Sequence, residues 1–208
     1  MKNPANNSPT LFMARHGEST FNRDNLFTGW IDAPLTDKGR EEAKEIARKL
    51  NGYSFDIAYT SKLRRALESL KIVLNEINAT QIPIIESEKL NERHYGDLQG
   101  LNKEETAIKY GSEQVKLWRR SYSIAPPNGE SLKDTSNRVI PFFRSIIMKD
   151  ISYGKNVLVL AHGNSLRTIV KELDDLSDDS IIDVYINTGE VIKYEFDSSK
   201  NIVSRIIL

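Results

Sequence analysis

No cysteine occurs in the 208 residues, which excludes disulfides, thiolate metal sites and a thiolate nucleophile together. Excess charge of either sign is also missing: Lys and Arg total 29, and Asp and Glu total 29. A chain with no net field has no general attraction for nucleic acid or an anionic membrane surface. Any cations that matter must therefore act by local clustering. No apolar run approaches the length of a membrane span. The stretch Met1 to Thr10 is polar and has no apolar segment, so it reads as a disordered leader and not as a signal peptide. These absences predict a soluble cytoplasmic protein, and the length suits a single domain over residues 11–208.

What is present is a repeated order of strand, loop and helix. Leu11 to Ala14 reads as a short strand, Phe55 to Thr60 as a second and Ile82 to Ile85 as a third. Val157 to Ala161 is the most apolar run and suits a central strand covered on both faces. Thr36, Ser61 and Ser165 can each cap the helix that follows. Asn102, with Glu105 three residues on, suits a helix start within a helical insertion at about 98–130. After Pro126 to Gly129 a helix from about Ser131 would bury Leu132, Val139, Phe142, Phe143 and Ile146. Ile192, Tyr194 and Phe196 alternate with Lys193 and Glu195 before a turn at Asp197 to Asn201, the pattern of a hairpin. The expected fold is a three-layer α/β/α sandwich with a mostly parallel sheet and an antiparallel edge.

In such folds the site lies beyond the carboxyl ends of the strands, and polar residues gather there. The first strand ends in Arg15-His16-Gly17-Glu18, the second in Thr60-Ser61 with Arg64 and Arg65 following. The third leads into Asn91 to Gly96, which contains Glu92, His94 and Tyr95, and the central strand ends in His162-Gly163-Asn164-Ser165. All three histidines of the chain lie in these junctions. The chemistry that suits this set is substitution at phosphorus through a phosphohistidine, with a neutral imidazole as nucleophile. Arg15 and Arg65 supply planar forks for the equatorial oxygens, Gly17 and Gly163 allow close backbone approach, and Glu92 is the carboxyl available to move the proton. A lone histidine at a strand end is usually structural, and His94 is read that way, as a residue ordering the Glu92 loop. The set as a whole is what carries the functional reading.

Leu11 to Ser19 (LFMARHGES), Asn22, Phe27 to Trp30 (FTGW), Leu90 to Gly96 (LNERHYG), Leu98 to Lys103 (LQGLNK), Trp118 to Arg120 (WRR) and Ala161 to Arg167 (AHGNSLR) resemble the cofactor-dependent phosphoglycerate mutases of the histidine phosphatase superfamily. The similarity runs from about Leu11 to Phe196. It implies that His16 is the phosphorylated nucleophile, that His162 steadies the transferred group, and that Arg15 and Arg65 line the phosphate pocket with Gly163 and Asn22 donating to it. Glu92 would be the general acid and base. Thr28 and Gly29 would meet the carboxylate end of the substrate, and Tyr95, Lys103, Arg119, Arg120 and Asn164 its remaining anionic groups. The implied activity is interconversion of 2- and 3-phosphoglycerate, primed by 2,3-bisphosphoglycerate and without a metal. A mutase must hold an intermediate that is anionic at both ends, so a second cationic set is needed, and the helical insertion carrying it would serve as a lid.

The sequence departs from larger members of that family in two places. The segment between Arg120 and Glu130 is short, and the chain stops at Leu208 without the family's C-terminal tail. Both changes predict weaker shielding of His16 and more phosphatase leakage. A histidine phosphatase, or bisphosphoglycerate mutase or phosphatase activity on the same site, is the nearest alternative. A non-catalytic anion-binding protein is the remote one. Partners other than small phosphoglycerates are not indicated, and the sequence leaves open whether the chain forms a homo-oligomer.

Overall fold

The computed structural model describes residues 8–208. Six strands form one sheet in the order β3-β2-β4-β1-β5-β6. In chain order these are β1 (Thr10–Arg15), β2 (Ile57–Thr60), β3 (Ile84–Glu86), β4 (Val157–Ala161), β5 (Val191–Phe196) and β6 (Ile202–Ile207). β4 runs parallel to β1 and β2, and β2 parallel to β3, while β5 and β6 add an antiparallel edge. β1 starts at Thr10, so the strand takes in the last residue of the expected leader, and residues 1–7 of that leader lie outside the described residues.

The period of two in the central strands divides the core into two layers. Leu11, Met13, Val157 and Val159 face one side. They pack there against α6 (Leu132–Phe142) and α8 (Gly163–Leu173) through Val139, Leu166 and Ile169. Phe12, Ala14, Leu158 and Leu160 face the other side, against Ile46 and Leu50 of the α2 region (helix Asp37–Lys49) and Leu70 and Val73 of α3 (Arg64–Glu76). Each of these side chains apart from Ala14 contributes roughly 1.5–3 kcal/mol by leaving water. The short α1 (Thr20–Arg23) and the pair α4 (Lys103–Tyr110) and α5 (Ser112–Arg120) lie outside this sandwich, within the stretch expected to be a helical insertion in the case of the last two. A small second cluster of Phe27, Leu98, Val115 and Trp118 supports them.

Thr36 caps α2 by accepting from Gly39 N, and Asn102 caps α4 by accepting from Glu104 and Glu105 N. Ser61 and Ser165 do not occupy cap positions. α3 starts after Leu63, and Ser61 Oγ is used elsewhere. α8 starts after His162, whose N–H donates to Ser165 Oγ. The helix from Ser131 also departs from expectation. Beyond Pro141 the chain widens into a π turn over Phe143–Ile147 before α7 (Met148–Ser152), and the extra residue advances the buried face. Phe143 and Ile147 are buried as a result, and Ile146 is exposed. Lys193 is buried as well, because β5 lies inside the sheet. Its ammonium rests over the rings of Phe12 and Tyr53.

Register places the site. Arg15 pairs with Ala161 and Thr60 with Leu160, so three parallel strands end at the same level. His16, Ser61 and His162 are each the first residue past such an end.

Candidate active site

Of the residues expected at the site, all except His162 and Gly17 line one cavity. These are Arg15, His16, Asn22, Thr28, Gly29, Arg65, Glu92, Tyr95, Lys103, Arg119, Arg120, Gly163 and Asn164. His162 is fully buried beside it, its ring centroid 4.9 Å from that of His16. Leu26, Phe27, Arg167, Tyr185 and Ile186 complete the wall.

Two contacts fix the tautomer of His16. Its Nδ1 lies 2.6 Å from the Gly17 carbonyl, which can only accept, so Nδ1 carries the proton. Its Nε2 accepts from Arg65 Nε at 3.3 Å, which leaves that nitrogen as the lone-pair atom. Burial, then the Arg65 and Arg15 charges, hold the imidazole pKa well below 6.5, so the ring stays neutral and nucleophilic. His162 is lowered by the same causes, burial first and Arg65 second. Its Nε2 lies 2.7 Å from Ser61 Oγ, which already accepts from Leu63 N. Among the described residues the Ser61 hydroxyl has no other acceptor, so its proton goes to Nε2 and the proton of His162 resides on Nδ1. That nitrogen is buried and has no partner, a donor held ready for an oxyanion.

Arg65 is buried and donates to the carbonyls of Gly29 and Ile31 as well as to His16. Burial pulls its pKa down to about 10, so it remains cationic at neutral pH. The Gly29 carbonyl reaches it because Gly29 takes φ +53°, and a Cβ there would lie 2.0 Å from Gln99 Oε1. Arg15 Nη1 donates to the Ile186 carbonyl at 2.7 Å. Gly17 has a different use from the one expected. A Cβ on it would lie 2.0 Å from the Gly39 carbonyl, so the small residue lets the start of α2 close against the end of β1. Gly163 does line the cavity, against the Arg15 guanidinium.

Both site asparagines have their amide oxygens occupied by the protein. Asn22 Oδ1 accepts from the N–H and hydroxyl of Ser19. Asn164 Oδ1 accepts from Arg167 Nη1 at 3.0 Å, and its Nδ2 donates to Tyr95 Oη. In each case the NH₂ end is the one left to serve an anion.

Glu92 is the one carboxylate on the wall. Its Oε1 accepts from Arg93 N and Asn164 N at 2.7 and 3.2 Å. The loop that carries it is clamped from behind. Arg138 donates to the carbonyls of Lys89, Asn91 and Glu92 and forms a two-pronged pair with Glu130. Trp30 Nε1 donates to the Glu92 carbonyl, and Glu130 accepts from His94 N. His94 Nδ1 accepts from Gly96 N, and its ring meets Trp30 edge-on, in keeping with an ordering role in this loop.

Lys103, the first residue of α4, and Arg119 and Arg120, the last two of α5, bring a second cationic set to the wall. The buried Arg93 donates to the Arg119 carbonyl and so ties α5 to the Glu92 loop. Arg120 lies 3.8 Å above the Tyr185 ring. Burial lowers the pKa of both Lys103 and Arg120. Among the described residues, no three His, Cys, Asp or Glu side chains gather as a metal-ligand set. No helix among them is long and apolar enough to cross a membrane.

Ser61, Arg93, Glu130, Arg138, Arg167 and Tyr185 were not singled out by sequence reasoning for these tasks. For all of them but Arg167 a partner lies far away in the chain, as with Ser61 and His162, 101 residues apart, whereas Arg167 bonds Asn164 and Ile181, 3 and 14 residues away.

A model of the histidine phosphatase superfamily, branch 1, matches residues 11–207. A phosphoglycerate mutase of Schizosaccharomyces pombe is 50% identical, the match covering 95% of each chain. A 2,3-bisphosphoglycerate-dependent phosphoglycerate mutase of Parvibaculum lavamentivorans is also 50% identical, over 95% of each. A mutase of the same description from Lachnoclostridium phytofermentans is 46% identical over 94% of this chain and 89% of its own. That last comparison extends over 222 positions, against 200 for the first two, so this relative carries residues that the shorter ones lack. Among solved structures, Bacillus stearothermophilus YhfR superposes with a TM-score of 0.82 at 30% identity, covering 94% of each chain. The alpha-ribazole phosphatase of Shigella flexneri does so with 0.81 at 26%, covering 95% of each.

Proposed function

From the membership of this chain in the histidine phosphatase superfamily, branch 1, we propose that it is a phosphoglycerate mutase, interconverting 2- and 3-phosphoglycerate through a phosphohistidine at His16. The observation that carries this reading is one cavity lined by two cationic sets. Arg15 and Arg65 act on His16, while Lys103 comes from the start of α4 and Arg119 and Arg120 from the end of α5. Hydrolysis of a monoester needs only the first set. Isomerisation needs both, because the intermediate must be gripped at each end while it reorients.

The donor set fits 2,3-bisphosphoglycerate: two cationic groupings, two amide NH₂ groups and the unpartnered His162 Nδ1. That compound would supply the priming phosphoryl group. Arg15, Arg65, Asn22, Gly163 and His162 would hold the transferred group, with Thr28, Gly29, Tyr95, Lys103, Arg119, Arg120 and Asn164 holding the rest. His16 Nε2 attacks in line, and its proton stays on Nδ1 against Gly17. Glu92 gives a proton to the departing oxygen and takes one from the hydroxyl that attacks on return. Its Oε1 is already held by two backbone N–H groups, so Oε2 is the oxygen free to do this. The α4–α5 pair is the part suited to act as a lid.

The test is incubation with 2,3-bisphosphoglycerate in the presence of a chelator. Acid-labile phosphate on His16 and exchange between the two phosphoglycerates are expected, and both should vanish in His16→Ala. A phosphoenzyme that releases only inorganic phosphate would make the protein a phosphatase. No phosphoenzyme at all would overturn the mechanism.

A further inference from the structure

Arg167 is 3% exposed, the fifth residue of α8, and among the described residues it forms no ion pair. A buried guanidinium without a carboxylate is costly and persists only where its hydrogen bonds perform a task. Burial pulls its pKa down to about 10, with Arg93 and Arg120 adding to the effect, and its Nε has no partner. The other two nitrogens reach in different directions. Nη1 donates to Asn164 Oδ1 at 3.0 Å, and Nη2 donates to the Ile181 carbonyl at 2.5 Å.

Those two acceptors belong to two parts of the outer cavity wall. With its oxygen taken, Asn164 presents NH₂ to the cavity and to Tyr95 Oη. Reversing that amide would put an oxygen where an anion must sit. Ile181 belongs to a 3₁₀ turn at Ser180–Asp183, and the following Tyr185 and Ile186 support Arg120 and accept from Arg15. One side chain thus joins the helix that receives the phosphoryl group to the segment that braces both cationic sets.

We infer that Arg167 is a positioning residue, orienting Asn164 and anchoring residues 181–186 so that the outer half of the cavity binds phosphoglycerates. This rests on the function proposed above. It acts through Asn164 and Tyr185, and the phosphoryl end is held mainly by Arg15, Arg65 and His162, so its loss falls on substrate affinity more than on attack by His16.

The test is a double-mutant cycle with Arg167→Met, Asn164→Ala and the pair, with Arg167→Lys as the conservative control. Arg167→Met keeps the apolar packing and should raise KM for phosphoglycerate by ~10–100-fold, with a smaller loss in the rate of His16 phosphorylation. The pair should lose less in KM than the product of the two single losses, since both variants break the Asn164 linkage while only Arg167→Met also frees the Ile181 anchor. Lys can serve one acceptor at a time and should fall between wild type and Met. Additive losses in KM, or an unchanged KM in Arg167→Met, would overturn the inference. Should the Met variant not fold, a wild-type KM in Arg167→Lys does the same. A wild-type chain that fails to exchange phosphoglycerates would overturn the proposed function and this inference with it. Normal wild-type exchange beside an indifferent Arg167 overturns this inference alone.

Discussion

At the scale of single residues, the two buried imidazoles set the response to acid. His16 and His162 have pKa values well below the ordinary 6.5, chiefly through burial and then through Arg65. Unfolding exposes them, and below pH 6.5 the unfolded chain binds protons that the folded chain refuses. Stability is therefore present above the unfolded value and is lost as pH falls towards the folded one. The melting temperature of the ligand-free protein should drop between about pH 7 and about pH 5, and His16→Gln should remove part of that drop. A His16→Gln profile parallel to wild type would show that the ring is not held neutral. A bound anion should oppose the effect, because it favours the protonated form.

At the scale of elements, the Glu92 carboxylate is only as well placed as its loop. Glu92 follows no strand directly. It is held by Arg138 on α6, which spans three loop carbonyls and Glu130. Arg138→Met should cost roughly 1–3 kcal/mol of stability, read by urea unfolding, and lower kcat by about tenfold or more. Unchanged turnover would mean that the backbone holds Glu92 without the clamp. This support illustrates what sequence reading could reach. His16, Arg15 and Arg65 were legible because each sits at or next to a junction that the strand pattern locates, and Glu92 because it falls in the polar run Asn91 to Gly96 that follows the third strand. The strands, the hairpin and the caps at Thr36 and Asn102 were legible from local periodicity and chemistry. Arg138 looked like one more charge on an amphipathic helix, and Ser61 like a cap, because their partners are chosen by packing between elements distant in sequence. The π turn after Pro141 was hidden for a related reason: one added residue shifts the buried face without changing composition.

At the scale of the whole molecule, equal numbers of acids and bases conceal an uneven distribution. The cavity wall gathers Arg15, Arg65, Lys103, Arg119, Arg120 and Arg167 against the single carboxylate of Glu92. A small polyanion is thereby drawn to one opening, while the balancing acidic excess lies on the rest of the chain. The strand order carries a further consequence, for how the protein comes to be active. β1, which leads directly into His16, is the first strand of the chain, yet it lies between β4 and β5, both formed from residues beyond 156. During synthesis β1 and His16 emerge early and must wait for nearly the whole polypeptide before the strand has neighbours on either side. Such non-local closure is slow relative to helix formation. On dilution from denaturant, phosphorylation of His16 should return later than the far-ultraviolet helical signal. Simultaneous recovery would show that the outer helices, too, wait for β1 to be seated.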